Sequence, residues 1–243
     1  MRCVLVMLMV LFAGAIAARA EEKPIRLLVI TGSHDFDPRF YSLFEGHADI
    51  LWDKKTQKGD PCRAYTEDFA EGYDAVLLYD FEMAITEEQK EAFEAAFGGG
   101  RGLIVLHHAL CSHPGWPKFR EIAGGQFLFE ARDGLPQSTY KGNVEVTYTP
   151  AEGAHPATEG VGPFTVIEEP YKFVYRPDDA VPLLMADSPD SDAVAAWATQ
   201  YKASRVAAIE PGHGGQIFED PEYKKFLAQT IRWVAGRTEK ADE

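Results

Sequence analysis

The chain is poor in the residues that would settle its class quickly. It has 3 cysteines in 243 residues, too few for a disulfide framework. No Gly-x-Ser-x-Gly elbow is present, so Ser-His-Asp hydrolysis lacks its nucleophile signature. No His-Glu-x-x-His helix offers a ready-made metal site. Gly98-Gly99-Gly100 has no strand before it and no Gly-Lys-Ser/Thr after it, which excludes a Rossmann or P-loop fingerprint. Positive charge is scarce: 24 Lys and Arg face 38 Asp and Glu, a formal net charge of −14. Such a surface disfavours nucleic acid and anionic lipid as partners. Beyond the first twenty residues no apolar run could span a membrane, and internal repeats and low-complexity linkers are absent.

The N-terminus is the exception to this even texture. Arg2 precedes an almost wholly apolar stretch from Val4 to Ala18, and Ala18-Arg19-Ala20 leads into Glu21-Glu22-Lys23. A short positive start, an apolar run below the ~20 residues of a span, and a small-x-small site define a secretory signal peptide. Residues 1–20 are therefore expected to be removed, leaving one domain over residues 21–243 in the periplasm or outside the cell. Cys3 precedes the apolar run, so a lipidated N-terminus is not expected. Removal takes Arg2 and Arg19 and no acid, which moves the net charge to −16. Cys62 and Cys111 remain; they could pair in an oxidising compartment, but a chain of this length does not need the bridge.

Short apolar runs alternate with helical patterns early in the chain. Ile25 to Thr31, Ala48 to Trp52, Ala75 to Tyr79 and Gly102 to Leu106 read as strands. Residues 53 to 74 read as polar and irregular. Pro38 suits the first position of a helix reaching about Gly46. Thr86-Glu87-Glu88-Gln89 is a capping box, and Gly98-Gly99-Gly100 stops the helix it opens. Pro117 to Ala123 is a short helix closed by Gly124-Gly125. From Gln126 to about Val181 apolar residues alternate with polar ones, as at Val144, Val146 and Tyr148 and at Phe164 and Val166, which marks antiparallel or edge strands. Pro182 to Ala186 and Ala193 to Trp197 are a further pair of strands. Arg205 to Ile209 is a buried strand again, and an amphipathic helix from Pro221 to Ala235 closes the chain. The expected fold is α/β: a flavodoxin-like open, mostly parallel sheet with helices on both faces and a strand-rich insert.

The candidate chemistry sits at strand ends. The first strand leads to His34 and Asp35, the Gly102–Leu106 run to His107, His108, Cys111 and His113, and the last parallel strand to His213. Parallel strands align their C-terminal loops along one edge, where open α/β sheets bind ligands. Glu168 and Glu169 end a strand of the insert and could close the site. Imidazoles with a carboxylate make a normal first-row metal set, although a lone histidine is more often a hydrogen-bonded loop residue. His107 and His108 are adjacent at a turn, so they are expected to diverge, one facing the site and the other orienting it. Cys111 lies past the turn and reads as structural. His47 and His155 read as structural. Trp116, Phe173, Trp197 and Trp233 read as core, with Trp116 beside His113 also able to stack on a sugar.

At this point the chain resembles the ThuA-like family, named for trehalose utilisation. The likeness rests on Gly32 to Phe36, Gly102 to Ala109, Trp116 to Gly125, His155-Pro156-Ala157-Thr158, Glu168 to Tyr171, Arg205 to Gly214 and Ile231-Arg232-Trp233-Val234, in that order along the chain. It implies a fold like the class I glutamine amidotransferases, with His108 where those enzymes carry their elbow cysteine, and so no glutamine hydrolysis. It also implies work on oxidised sugars, notably 3-keto-glycosides. The family pattern often has a histidine soon after Gly-Gly-x-Phe; here Gly124-Gly125-Gln126-Phe127 is followed by Leu128-Phe129-Glu130.

These readings lead to an exported enzyme that cleaves a keto-sugar glycoside, with a small carbohydrate as partner and a divalent metal as cofactor. His34, Glu169 and His213 are the expected metal or substrate ligands, His108 the base or a further ligand, and Asp35 the group that orients an imidazole. The rival is a non-catalytic carbohydrate-binding or scaffold protein on the same fold. Oligomeric state is not legible in the sequence. Secretion has a direct test. Protein expressed in a bacterial host should begin at Glu21 by N-terminal sequencing, and a cytoplasmic product retaining Met1 would count against the leader.

Overall fold

The computed structural model describes residues 23–57 and 64–237; the expected signal peptide and Cys62 lie outside these residues. The strands are β1 (Ile25–Gly32), β2 (Ile50–Gln57), β3 (Ala75–Asp80), β4 (Gly102–Leu106), β5 (Thr139–Tyr140), β6 (Val144–Pro150), β7 (Phe164–Glu168), β8 (Tyr171–Lys172), β9 (Val181–Asp187), β10 (Val194–Tyr201) and β11 (Ser204–Ile209). The helices are α1 (Glu87–Gly98), α2 (Pro117–Ala123) and α3 (Pro221–Val234). Nine strands form one sheet in the order β2-β1-β3-β4-β11-β10-β9-β6-β7, and β5 pairs with β8 in a separate ribbon. The first five strands are parallel, in the spatial order of a flavodoxin-like sheet. The remaining pairings are antiparallel.

Burial explains the architecture. β3 and β4 are buried at every position, as strands covered on both faces must be. One face carries Phe93 and Phe97 of α1 and Phe119 and Ile122 of α2, packed on Leu28, Val76, Leu103 and Val105. The other carries Phe40, Phe44 and the α3 residues Tyr223, Phe226, Leu227 and Ile231, packed on Leu27, Val29, Leu77 and Ile104. Alternate residues of one strand thus serve two cores. Among the described residues no helix is long and apolar enough to cross a membrane.

Local signals account for most of the ends. Thr86 and Gln89 form a capping box at α1. Gly124 closes α2 in the left-handed conformation, at φ 66°. Pro38 opens a 3-10 segment, Pro38–Phe44, rather than an α-helix. β2 continues to Gln57, through residues expected to be irregular, because a ladder to β1 runs from Ile25↔Ile50 to Gly32↔Gln57. β10 likewise runs on to Tyr201 through its pairing with β11.

Gly102 opens β4 where α3 closes over the sheet. A Cβ there would lie 2.5 Å from the Val234 carbonyl oxygen and 2.8 Å from its Cβ. Both neighbours belong to a packed helix end, so neither can yield cheaply. Gly102→Ala should cost about 1–3 kcal/mol in denaturant unfolding. An unchanged midpoint would show that α3 does not press on this strand.

Candidate functional site

The carboxyl ends of β1, β3, β4 and β11 share one edge of the sheet, and successive antiparallel pairings bring the end of β7 to the same edge. A cavity of about 240 Å³ opens there. His34, His108, Glu169 and His213 supply its polar lining. Phe81, Cys111, Phe127, Phe129, Tyr140 and Tyr171 complete the wall. A larger groove, about 460 Å³, lies along residues 173–178 and 192–194 and contains no imidazole; the smaller cavity is the one with convergent polar groups.

The turn after β4 builds the centre of the site. His107 has a left-handed φ of 47°, rare for a residue with a side chain, and opens the 3-10 turn His107–Cys111. The elbow residue is thus His107, one position before the His108 that the family likeness pointed to. This fold-back also undoes the expected divergence of the pair: the two rings lie 4.5 Å apart. His107, His108 and His213 each offer a donor atom within 4.8 Å of the others.

Hydrogen bonding fixes the state of His107. Its Nδ1 lies 2.5 Å from the backbone carbonyl of Glu210, which can only accept, so Nδ1 carries the proton. Nε2 then presents a lone pair, toward which the Tyr171 hydroxyl donates at 3.0 Å. His213 Nδ1 is 3.3 Å from this Nε2, and Glu169 Oε2 is 3.7 Å from it and 3.5 Å from His213 Nδ1. Burial alone would raise the Glu169 carboxyl; His107, with His213 and His34 nearby, more than offsets this and holds it below its ordinary value. Burial and His107 lower His213, which Glu169 and Glu168 only partly oppose. These three atoms form an electron-rich triangle whose corners lie about 2.0 Å from their common centre, a zinc–nitrogen bond length. Of the three ligands expected from sequence, Glu169 and His213 meet here, but the third corner is His107 and not His34.

His34 is exposed and lies across the pocket, its ring stacked on His108 at 3.9 Å. Its Nδ1 donates to the backbone carbonyl of Asp35 at 2.6 Å. Asp35 therefore orients an imidazole through its backbone and not through the expected carboxylate. His108 is 4 % exposed, and neither of its ring nitrogens has a hydrogen-bond partner. Burial, reinforced by His107, His34 and His213, pushes it far below the ordinary histidine range, so it is neutral. Cys111 reaches the pocket wall, but burial pushes its thiol up to about 12, which leaves it protonated and a poor nucleophile.

Other candidates take structural places. His113 is fully buried against Phe119 and Trp116, away from the cavity. Trp116 is in the core with Phe93 and does not line the cavity. His155 caps a 3-10 turn and packs on Trp233. Tyr79, Tyr223 and Glu210 were not singled out from sequence, and Glu168 was named there only as able to close the site. Tyr79 and Tyr223 donate to the carbonyls of Gly212 and Pro211, at 2.7 Å each, and so pin the loop that presents His213. The Glu168 carboxylate accepts from the backbone N–H groups of His213 at 3.1 Å and Glu169 at 2.9 Å, tying two walls together. Glu210 is fully buried, and burial raises its carboxyl well above the ordinary range. A buried acid at a strand end was the only signal for it.

The fold and the site define a flavodoxin-like α/β protein with a histidine-rich pocket at the carboxyl edge of its sheet. The chain belongs to the ThuA family, trehalose utilisation, whose profile matches residues 40–234. Among solved structures it is similar to a ThuA-like protein from Parabacteroides merdae, at 18% identity and TM-score 0.75 over 90% of this chain and 93% of that one. A ThuA-like protein from Bacteroides uniformis aligns at 19% identity and TM-score 0.67, over 92% and 96%. A β-galactosidase from Rahnella sp. R3 aligns at 12% identity and TM-score 0.57, over 87% of this chain but 31% of that one. At these identities the structures establish the shared fold. No curated protein matches the chain.

Beneath the site, Asp80 is fully buried at the end of β3. Tyr65 donates to its Oδ2 at 2.8 Å, and Oδ1 has no partner. Burial raises this carboxyl to about 7, against the Tyr65 hydrogen bond. In the unfolded chain it titrates near 4. Between these values the folded state holds the extra proton, so stability falls as pH rises through about 4 to 7. Asp80→Asn should remove this slope and gain up to about 4 kcal/mol relative to the parent at pH 8. Parallel denaturation profiles for the two proteins between pH 5 and 8 would rule it out.

Proposed function

We propose that this protein cleaves glycosides whose sugar ring carries a ketone at C3, by proton abstraction at C2. The observation that carries this reading is His108, an enclosed neutral imidazole with both nitrogens unpartnered, facing a cavity that also holds Glu169 and His213. Burying two ring nitrogens without a protein partner costs stability, and a purely structural role does not account for that cost.

A strongly depressed histidine is always unprotonated but is a weak base. Burial therefore does not help it as a base, and the reaction depends on the C3 ketone, which acidifies the neighbouring C2–H. His108 receives that proton, and the C2–H electron pair becomes the enolate of the ketone. The enolate electrons then re-form the C3 carbonyl, create the C1–C2 double bond and expel the C1 substituent. The departing oxygen takes the proton that His108 received, with His34 stacked beside that ring at the open side of the pocket. Water can add to the resulting enone to give the free keto-sugar. No covalent enzyme intermediate is needed, which agrees with a protonated Cys111.

The donor triangle would fit a divalent metal once the Tyr171 hydroxyl turns its proton away from His107 Nε2. His107 Nε2, His213 Nδ1 and Glu169 Oε2 would hold it, and the Glu210 carbonyl orients the His107 ring from behind. Such an ion supplies positive charge that lowers the cost of an enolate. The family assignment to trehalose utilisation supports a sugar substrate, and the leader expected from the sequence would put its site of action beyond the cytoplasm.

A 3-keto-glucoside should be cleaved while its unoxidised parent is not. His108→Ala should lose about 10²-fold or more in rate, and Cys111→Ser should lose little. Equal turnover of both glycosides, or inactivation by Cys111→Ser with the fold intact, defeats the mechanism. Protein purified without a tag should contain about one divalent ion per chain, lost in Glu169→Gln and with a chelator. A metal-free, fully active enzyme would leave the triangle without this role.

A further inference from the structure

The pocket wall opposite the imidazoles has a graded exposure that catalysis does not explain. Phe127 and Tyr171, at its base, are 5 % and 3 % exposed, whereas Phe129 and Tyr140, at its lip, are 41 % and 65 % exposed. The Phe129 ring packs on Phe127 at 5.2 Å and lies nearly parallel to Phe81 at 6.2 Å. Tyr140 is held by the β5–β8 ribbon directly opposite Tyr171. The lip is therefore anchored to the residue that bonds His107, and it is continuous with the site.

The pocket, lip included, is small. About 240 Å³ falls below the roughly 300 Å³ at which cavities for drug-sized ligands begin. One sugar ring takes up most of it, so the rest of a glycoside must lie against the lip. The pocket lining includes no Lys, Arg or Asp. A phosphate or carboxylate on the leaving group would meet no Lys or Arg at the lip, where Phe129 and Tyr140 stand.

We propose that Phe129 and Tyr140 form a seat for the leaving group, and that this group is a neutral ring with a flat apolar face, either a second sugar or an aryl group. The proposal rests on the cleavage reading above and narrows its substrate class. Rings of this kind stack on aromatic side chains and cover the area that Phe129 and Tyr140 leave exposed.

The test compares three 3-keto-glucosides, with phenyl, glucosyl and methyl leaving groups. The phenyl-to-methyl and glucosyl-to-methyl ratios of kcat/KM are measured in the parent, Phe129→Ala, Tyr140→Ala and Tyr140→Phe. Differences in leaving-group acidity cancel when each ratio is compared between proteins. One or both ratios should fall about five- to tenfold in the alanine variants and be retained in Tyr140→Phe, which keeps the ring. A fall confined to one ratio identifies the aryl or the sugar source. Ratios that stay within about twofold of the parent overturn the seat. If no keto-glucoside is turned over, the cleavage reading fails on its own. The seat is then judged by calorimetric binding of unoxidised phenyl glucoside. About fivefold weaker binding by Tyr140→Ala than by the parent supports it, and equal or absent binding overturns it.

Discussion

The site depends on one hydrogen bond, from His107 Nδ1 to the backbone carbonyl of Glu210. It crosses from the turn after β4 to the end of β11, two neighbouring parallel strands. A carbonyl cannot donate, so the bond puts a proton on Nδ1 of His107 and turns Nε2 toward the Tyr171 hydroxyl, Glu169 and His213. The left-handed backbone at His107 is tolerated because this partner and the Tyr171 hydroxyl hold both ends of the ring. A strained turn, a fixed tautomer and a converging carboxylate are one arrangement seen from three sides.

A second carboxylate gives that arrangement its shape. Glu168 is buried and accepts from backbone N–H groups on both its own loop and the His213 loop. Glu169, one residue on, is left to face the imidazoles. Adjacent acids therefore divide the labour: one is spent on backbone donors, the other remains available to the pocket. Tyr79 and Tyr223 complete the frame from beneath, each donating a hydroxyl to a carbonyl before His213.

The parallel half of the fold was legible because each of its central strands is a short apolar run closed by a turn residue. The continuation of β2 through Asp53, Lys54 and Lys55 was not, since an edge strand is paired on one side only and needs no apolar pattern there. The convergence of strand ends followed from topology, so His108, His213 and Glu169 could be named in advance. The role of His107 could not: a positive φ at a non-glycine residue leaves no trace in composition or spacing. The backbone role of Asp35 escaped for a similar reason, because sequence reading assigns chemistry to side chains and overlooks carbonyls. Glu210 looks like an ordinary strand-end acid until burial is known, and nothing in the sequence shows that the Glu168 carboxylate is taken up by backbone N–H groups.

The position of Glu169 carries a consequence for assembly. It follows β7, the far edge strand of a nine-stranded sheet, while the histidines follow β4 and β11, which are neighbours. A chain whose antiparallel half frayed would keep those imidazoles together and lose the third corner. Any cation gripped by that corner would in turn fasten the outermost strand to the centre of the sheet.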